Sequence, residues 1–524
     1  MSFEQGPANR QIARAAGVVM AGFVLSNLAG LVRQILVLQA FGTQREIDAF
    51  NAAARVPETL FVLVAGGALA SAFIPVFTGF IEREDREGAW RLASGVMNLV
   101  SLVLAAVSIL AVLVAPALVR LVLARDFDAE SQALTVELLR ILLVSPVIFG
   151  ISGMLMGILN THQQFLLPAL APTFHWLGWI IGVLLFVPVY GIHGLAYGAV
   201  LGAGLHMLVQ LPGLRGLKEV RYTPTFGLGL PSVRKVAALM GPRVFGVAVV
   251  QLNFWINVIL ATGMPVGSLT ALGTAFAVMT MPQVVIAQAI AIAALPTFAL
   301  QVARGQVGEM RVSLAATLRG VLLLSVPAAA GLILLRYPVV RLLFEYGEFD
   351  ARSTELVVWA LLWFTAGLVS HSVVEIVSRA FYALHDTRTP VVVGAAAMGL
   401  NVGLSLGLSA WFTRLDWMPH GGLALANTIA TTLEMIALLV LMRRRLGGLE
   451  GRRILTGFGQ AAAGTLVMGA GIVGWQAVSQ TLWQEASGVL AGAVIYAAVL
   501  LALRVEEVKW LIDGLLDRVR RQPR

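Results

Sequence analysis

The chain has 524 residues, of which 58% are hydrophobic and only 12% are charged. Soluble domains have about 45–50% apolar and 25% charged residues, so this composition excludes an ordinary soluble protein and indicates one that crosses a membrane many times. The absence of cysteine excludes disulfides, thiolate catalysis and cysteine metal sites.

The first fifteen residues are polar and carry Arg10 and Arg14. The helix predicted after them is too long for a signal-peptide core, and no convincing cleavage site follows. We therefore expect the first helix to be retained.

Apolar runs of about 20 residues, separated by polar breaks, predict fourteen transmembrane helices and hence an all-α polytopic membrane protein. A charged segment at 120–131 separates the third run from the fourth, and Pro282 and Pro296 interrupt the eighth. The expected spans are residues 15–41, 57–81, 91–118, 134–159, 166–188, 192–213, 236–262, 268–299, 312–335, 354–383, 390–412, 421–442, 455–476 and 486–504.

Basic residues outnumber acidic ones, 37 to 28, and their placement indicates topology rather than nucleic-acid binding. With the N-terminus in the cytoplasm, 24 of the 37 Lys and Arg residues fall on the inside and 8 on the outside. The positive-inside rule therefore predicts that both termini are cytoplasmic. The other five lie within spans: Arg33, Arg140, Arg243, Arg319 and Arg379.

The chain also repeats itself at an offset of 221 to 223 residues. Val-Arg-Leu at 119–121 and Phe-Asp-Ala at 127–129 return at 340–342 and 349–351. Further pairs are Pro75 with Pro296, Pro168 with Pro390, and His162 with His385. The period contains six spans, an even number, which predicts two parallel repeats with a substrate site between them, as in many transporters.

This repeat predicts the domain organisation. Two six-helix lobes are joined by a basic linker, and two further helices and an amphipathic tail on the membrane surface follow. The predicted boundaries are 1–213 (N-lobe), 214–235 (linker), 236–442 (C-lobe), 443–454 (basic loop), 455–504 (helices 13 and 14) and 505–524 (tail).

Arg33 lies in the middle of the first span, about eight residues or 12 Å from its end at Phe41. A charge there costs about 2.5 to 3.5 kcal/mol, so it is expected to face protein or water and to mark a transport pathway. The alternative is an arginine whose side chain reaches the membrane interface, but the distance makes this less favourable.

Other polar residues within the spans are expected to face the same central cleft. Asn253 and Asn257 could equally form hydrogen bonds between helices, and Glu375 and Arg379 have the spacing of an internal ion pair. The candidate substrate-binding residues are Asn27, Arg33, Gln34, Asp48, Arg55, Arg243, Asn253, Asn257 and Gln283.

No His-Glu-x-x-His or phosphate-binding Gly-x-x-x-x-Gly-Lys pattern is present, so the sequence predicts neither an enzyme nor a cofactor. Single histidines in the spans are expected to be satisfied polar groups. Asn401 is a weak candidate for ion coordination, and transport is expected to use either a monovalent cation gradient or the membrane potential.

Several short motifs resemble the MviN/MurJ family, the lipid II flippases of the multidrug/oligosaccharidyl-lipid/polysaccharide exporter superfamily. The resemblance covers the first twelve spans well and the last two weakly. Its motifs are Gly30-Leu31-Val32-Arg33, Phe41-Gly42, Asp48-Ala49-Phe50, Ala72-Phe73-Ile74-Pro75, Gly157-Ile158-Leu159-Asn160-Thr161, Pro168-Ala169-Leu170-Ala171-Pro172, Met240-Gly241-Pro242, Tyr346-Gly347-Glu348-Phe349, and Phe381-Tyr382 with Asp386-Thr387.

The resemblance implies a V-shaped bundle in the bacterial inner membrane. By alternating access it would move lipid II, an undecaprenyl-pyrophosphate-linked peptidoglycan precursor, to the outer leaflet during cell-wall synthesis. The last two helices would hold the lipid tail, and partners would include membrane lipids and cell-wall enzymes but no nucleic acid. Arg33 matches the family's first-helix cavity arginine, and Asp48 its acidic loop residue.

The chain departs from the family where further cavity arginines are usual, because Val62 and Ala277 occupy those places and Gln34 replaces an acidic residue. A pyrophosphate diester carries about two negative charges, for which guanidinium groups are natural partners. Either Arg55, Arg243 or Arg319 substitutes, or the cargo is another polyprenyl-linked oligosaccharide, or the chain is a transport-inactive scaffold for cell-wall enzymes.

Overall fold

The structure is a computed structural model that describes residues 7–64, 68–217 and 220–505. Throughout these residues the regular secondary structure is helical. The helices are α1 Pro7–Phe41, α2 Arg45–Val64, α3 Ala68–Glu82, α4 Arg86–Leu118, α5 Ala129–Leu142, α6 Ser145–Thr161, α7 Leu166–Ile181, α8 Val187–Tyr190, α9 Ile192–Leu208, α10 Leu211–Leu214, α11 Pro231–Thr262, α12 Ser268–Gln283, α13 Ala289–Ala303, α14 Val307–Leu334, α15 Arg336–Phe344, α16 Ala351–Thr365, α17 Leu368–Ala383, α18 Arg388–Arg414, α19 His420–Leu446, α20 Gly451–Val478 and α21 Leu482–Ala502.

The predicted all-α membrane fold is confirmed, but the count of fourteen spans is not. In the described part of the chain, eleven helical segments are long and apolar enough to cross a membrane, or twelve if α16 and α17, which meet at 47°, form one span. The second expected span is divided between α2 and α3, and α2 begins with the charged residues Arg45, Glu46 and Asp48. The seventh lies in α11, which is helical but not among the eleven.

The prolines of the eighth expected span do not break its helix. Pro282 lies inside α12 and Pro296 inside α13, and a π-helical turn at Val284–Gln288 joins the two helices. Because proline removes one backbone donor, a locally widened turn next to it lets the chain continue across the membrane.

The internal repeat is visible in the helix boundaries as well as in the sequence. Helices α3 and α13 each have 15 residues and are offset by 221 positions. Helices α5 and α16 both begin directly after an aspartate, Asp128 or Asp350, whose carboxylate accepts the backbone N–H three residues later at 2.8 Å. At these two places the sequence repeat coincides with matching helix boundaries.

Contacts along the chain define two compact units, residues 1–269 and 270–524. Within the first unit α11 packs on α2, α3 and α4, although the repeat assigns α11 to the second half of the sequence. The contacts divide the chain after residue 269, whereas the sequence repeat begins the C-lobe at residue 236. The lobe boundaries therefore stay a prediction. The amphipathic tail beyond Val505 lies outside the described residues.

Candidate functional site

Arg33 lies in a corner formed by two tryptophans of α7, which we call the Arg33 corner (Arg33, Trp176 and Trp179). The guanidinium carbon is 4.7 Å from each indole centroid. Because the two centroids are 6.2 Å apart, the rings flank the guanidinium on adjacent sides rather than sandwiching it. Cation–π contacts of this kind are worth about 2 kcal/mol when desolvated, which offsets much of the cost of placing the charge in the membrane.

The hydrogen bonds of Arg33 are only partly satisfied. Its Nη1 donates to the Gln34 side-chain oxygen at 3.0 Å. Its Nε is buried, as is the indole Nε1 of Trp179, and neither donor has an acceptor among the described residues. Gln34, a neutral neighbour, thus orients the arginine without cancelling its charge.

Glycines fix the helix that carries the tryptophans. Gly178 of α7 and Gly182, which directly follows α7, face Gly198 and Gly202 of α9 so closely that a Cβ on Gly198 would lie 2.6 Å from the Gly182 Cα. A Cβ on Gly22 of α1 would lie 2.6 Å from the Ala169 carbonyl oxygen of α7. Small residues at such crossings let membrane helices approach closely, and here they hold α7 against both neighbours.

A second charged cluster joins α2 to α11 inside the first unit. Arg55 pairs with Glu58 at 3.3 Å, and its guanidinium carbon is 5.4 Å from the Phe254 ring centroid. Trp255 donates its indole N–H to the Thr59 hydroxyl at 2.8 Å. The Glu58 carboxylate also acts electrostatically on Arg33, so the same carboxylate stabilises the charges of both arginines.

Asp48 is buried, with 4% of its surface exposed. Its carboxylate accepts the backbone N–H of Gly267 at 2.7 Å, directly before α12 begins at Ser268. A carboxylate is favourable at the N-terminus of a helix. Gly267 has φ 92°, a conformation that other residues rarely adopt.

The remaining candidates of the first unit make local contacts. Exposed Asn27 donates to the Phe23 carbonyl of its own helix at 2.8 Å. Asn257 donates to the Asn253 side-chain oxygen at 3.2 Å, so the pair bonds within α11. Arg243 also lies in α11, but its side chain is outside the described set.

Two candidates belong to the second unit. Gln283 is half-buried at the end of α12. Asn401 is 3% exposed in α18 and accepts a hydrogen bond from the Ser405 hydroxyl at 3.3 Å. Searching the described residues finds no group of three His, Asp or Glu residues that could hold a metal ion.

The expected ion pair in α17 is confirmed, with Arg379 and Glu375 at 2.8 Å. Two histidines within the spans have the hydrogen-bond partners expected, since His206 lies 2.7 Å from the Ser152 hydroxyl and His371 lies 3.0 Å from the Asn427 amide oxygen. For His175 the expectation is wrong, because its buried Nδ1 has no hydrogen-bond partner among the described residues. Arg319 donates to Gln460 of α20 at 3.1 Å, a contact between the repeat and an added helix that the sequence did not predict.

The sequence did not predict the partners of Arg33. Trp176 and Trp179 lie more than 140 residues away on an apolar span, where tryptophan usually indicates lipid or core packing. The glycine spacing in α7 and α9 was the available signal, because four-residue glycine spacing marks close helix crossings.

Outside the spans, two helix-capping aspartates, Asp128 and Asp350, have a lowered pKa. The backbone N–H of Ser131 lowers the pKa of Asp128, and the backbone N–H of Ser353 does the same for Asp350. Both hydrogen bonds favour the charged carboxylate. Asp128 also pairs with Arg45 at 2.6 Å.

Residues 37–493 match the family model described as "Lipid II flippase MurJ", which is most of the chain. The chain belongs to the MurJ family of lipid II flippases. Members of this family are transporters, so the chain is a flippase rather than an enzyme, and the predicted resemblance is confirmed.

Curated relatives cover most of the chain. "Lipid II flippase MurJ" of Burkholderia cenocepacia is 30% identical over 476 residues, spanning 88% of this chain and 90% of its own. "Probable lipid II flippase MurJ" of Rhizobium tropici is 32% identical over 434 residues, spanning 80% and 79%. With the apolar helices, these relatives place the chain in a bacterial inner membrane as a multi-pass protein.

Solved structures show the fold. A lipid II flippase MurJ in an inward closed conformation superposes with a TM-score of 0.80 at 23% identity, covering 93% of this chain and 98% of its own. An inward-facing multidrug resistance MATE transporter of the MOP superfamily gives 0.69 at 17% identity, covering 81% and 96%. The chain therefore shares its fold with these two structures.

Proposed function

We propose that this chain moves lipid II from the inner to the outer leaflet by alternating access, and that Arg33 binds the pyrophosphate of the cargo. The observation that carries the choice of cargo is the family match over residues 37–493. Arg33 lies just before the matched residues, so its assignment rests on its place in the middle of the first span and on its resemblance to the family's first-helix arginine. A pyrophosphate is a bidentate acceptor, which suits the planar donors of a guanidinium.

The charges of the first unit support an anionic cargo. Arg55 pairs with Glu58, which also acts electrostatically on Arg33, so these three side chains carry one net positive charge, and Gln34 adds no negative charge beside Arg33. Neither Val62 nor Ala277 contributes charge where the resemblance expects arginine. We therefore expect Arg33 to contribute more to cargo binding here than it would if two further cavity arginines were present.

We further propose that both termini are cytoplasmic and that the membrane potential contributes to transport. An inside-negative potential favours outward movement of an anion by about 2.3 kcal/mol per charge and 100 mV. A role for Asn401 in cation coupling and contacts with cell-wall enzymes stay predictions.

Complementation tests the function. The host's own lipid II flippase is depleted, this chain is expressed, and externalised lipid II is measured. We expect the wild type and an Arg91→Ala control to restore externalisation, since Arg91 is exposed and pairs only with exposed Glu87 among the described contacts. We expect Arg33→Ala to restore less than a tenth as much, because a charge-assisted contact is worth about 1.5–3 kcal/mol.

Failure of the wild type despite normal membrane abundance would contradict the proposal. It would favour another polyprenyl-linked oligosaccharide as cargo, for which Val62 and Ala277 are the motivating departures. Full rescue by Arg33→Ala would contradict the site while leaving the function intact.

A further inference from the structure

The Arg33 corner contains more than the arginine. Three observations stand together: two indole rings at 4.7 Å from the guanidinium carbon, a buried Arg33 Nε without an acceptor in the described chain, and a buried Trp179 Nε1 in the same condition. A buried donor left unsatisfied costs about 1–3 kcal/mol, so a corner that served packing alone would carry two such costs.

We propose that Trp179 is a second anion-binding residue and that Trp176 and Trp179 together position Arg33 for the cargo's pyrophosphate. This rests on the proposed function. An oxyanion entering the corner accepts from the Trp179 indole N–H and from the edge of the guanidinium. The ring faces meanwhile hold the guanidinium plane in place, so its donors point in a fixed direction.

The surroundings keep the corner rigid. Phe50 of α2 packs edge-on against Trp179, with ring centroids 5.5 Å apart. The Trp179 ring also lies next to the Gly178–Gly202 crossing, where a Cβ on Gly202 would lie 3.2 Å from its Cδ1. On the other side, a Cβ on Gly30 of α1 would lie 3.4 Å from the Trp176 Nε1. A preorganised donor loses less side-chain freedom when it binds its ligand.

The two tryptophans make different predictions. Phenylalanine at 179 keeps a ring but removes the buried N–H, whereas phenylalanine at 176 removes an N–H to which the proposal assigns no ligand. Leucine at either place removes the cation–π contact while keeping an apolar side chain. Trp176→Phe is therefore the matched control for Trp179→Phe.

The test uses the full-length protein in detergent, titrated with undecaprenyl pyrophosphate and, as an uncharged comparison, undecaprenol, with bound lipid measured by native mass spectrometry. For the pyrophosphate we expect Trp179→Phe to bind about tenfold more weakly, as for loss of a hydrogen bond to a charged group. We expect Trp176→Phe to weaken binding less than Trp179→Phe does, because it keeps a ring beside the guanidinium and removes no N–H that the cargo uses, and Trp176→Leu to lose several-fold. Undecaprenol binding and thermal stability should match the wild type in both phenylalanine variants.

Coupling to Arg33 separates positioning from packing. In an Arg33→Gln background, Trp179→Phe should cause a smaller further loss of pyrophosphate affinity than it causes in the wild type, since contacting residues are non-additive. Three results would overturn the proposal: losses of pyrophosphate affinity that add in the double variant, an equal loss of undecaprenol affinity, or wild-type pyrophosphate affinity in Trp179→Phe. None of these results would contradict the transport of lipid II itself. If the wild type itself binds no undecaprenyl pyrophosphate, the proposed function fails and this assignment fails with it.

Discussion

At the scale of single residues, the buried charges of the first unit are held by specific and short-range partners. Arg33 is held by two rings and an amide, Arg55 by Glu58 and a ring, and Asp48 by a backbone N–H. In each case a charge inside or beside the membrane has a polarisable or hydrogen-bonding partner, because an isolated one would be too costly.

Asp48 gives a direct test of this view. Replacing Asp48 with alanine removes the acceptor of the Gly267 N–H, which should cost about 1–3 kcal/mol and lower the thermal unfolding midpoint. Asp48→Asn retains a side-chain oxygen and should lose less. Glu46→Ala is the control, since Glu46 is exposed in the same first turn of α2. Equal midpoints for Asp48→Ala and Glu46→Ala, measured in detergent, would refute the role of the contact.

At the scale of elements, glycines at helix crossings determine how closely neighbouring helices pack, and capping residues determine where helices begin. The contacts of Gly178 and Gly182 with Gly198 and Gly202 leave no room for a methyl group where α7 and the turn directly after it cross α9. The sequence displays this spacing, and the tight crossing could have been predicted from it. Which side chains the crossing then presents to α1 could not, because that depends on the rotation of α7.

Gly198→Ala should destabilise the protein although alanine favours helices. The added Cβ would lie 2.6 Å from the Gly182 Cα, so the helices must separate and lose packing. Gly204→Ala in the same helix is the matched control, because nothing lies within 4 Å of its Cβ position, and it should be neutral or stabilising by up to about 1 kcal/mol. Thermal unfolding followed by circular dichroism compares them. Equal unfolding temperatures for the two variants would contradict the claim that close packing at Gly198 stabilises the protein.

The repeated caps predict a pH dependence. Because the Ser353 N–H lowers the pKa of Asp350 in the folded protein, the cap's stabilisation is fully present above the ordinary carboxylate pKa near 4 and is lost as the pH falls through the lowered value. Asp350→Ala should therefore unfold about 1–2 °C below the wild type at pH 7, and the gap should close below about pH 4. A gap independent of pH between 3 and 7 would contradict the assigned cause.

At the scale of the whole molecule, the sequence predicted the membrane fold, the repeat and the family, because each rests on patterns spread over hundreds of residues. The exact spans were harder: α2 begins with charged residues, and α16 and α17 bend at Gly367, where a Cβ would lie 2.7 Å from the Thr428 hydroxyl. The partners of Arg33 were not predictable, since they depend on tertiary contacts between distant spans.

Arg33 is the group that we propose binds the anionic lipid headgroup inside the membrane. The most direct measurement is the rate at which lipid II becomes accessible on the far leaflet of vesicles containing the purified wild-type chain or Arg33→Gln, at equal protein density. We predict rapid transfer with the wild type and at least about tenfold slower transfer with Arg33→Gln. Equal rates for the two proteins would contradict the account.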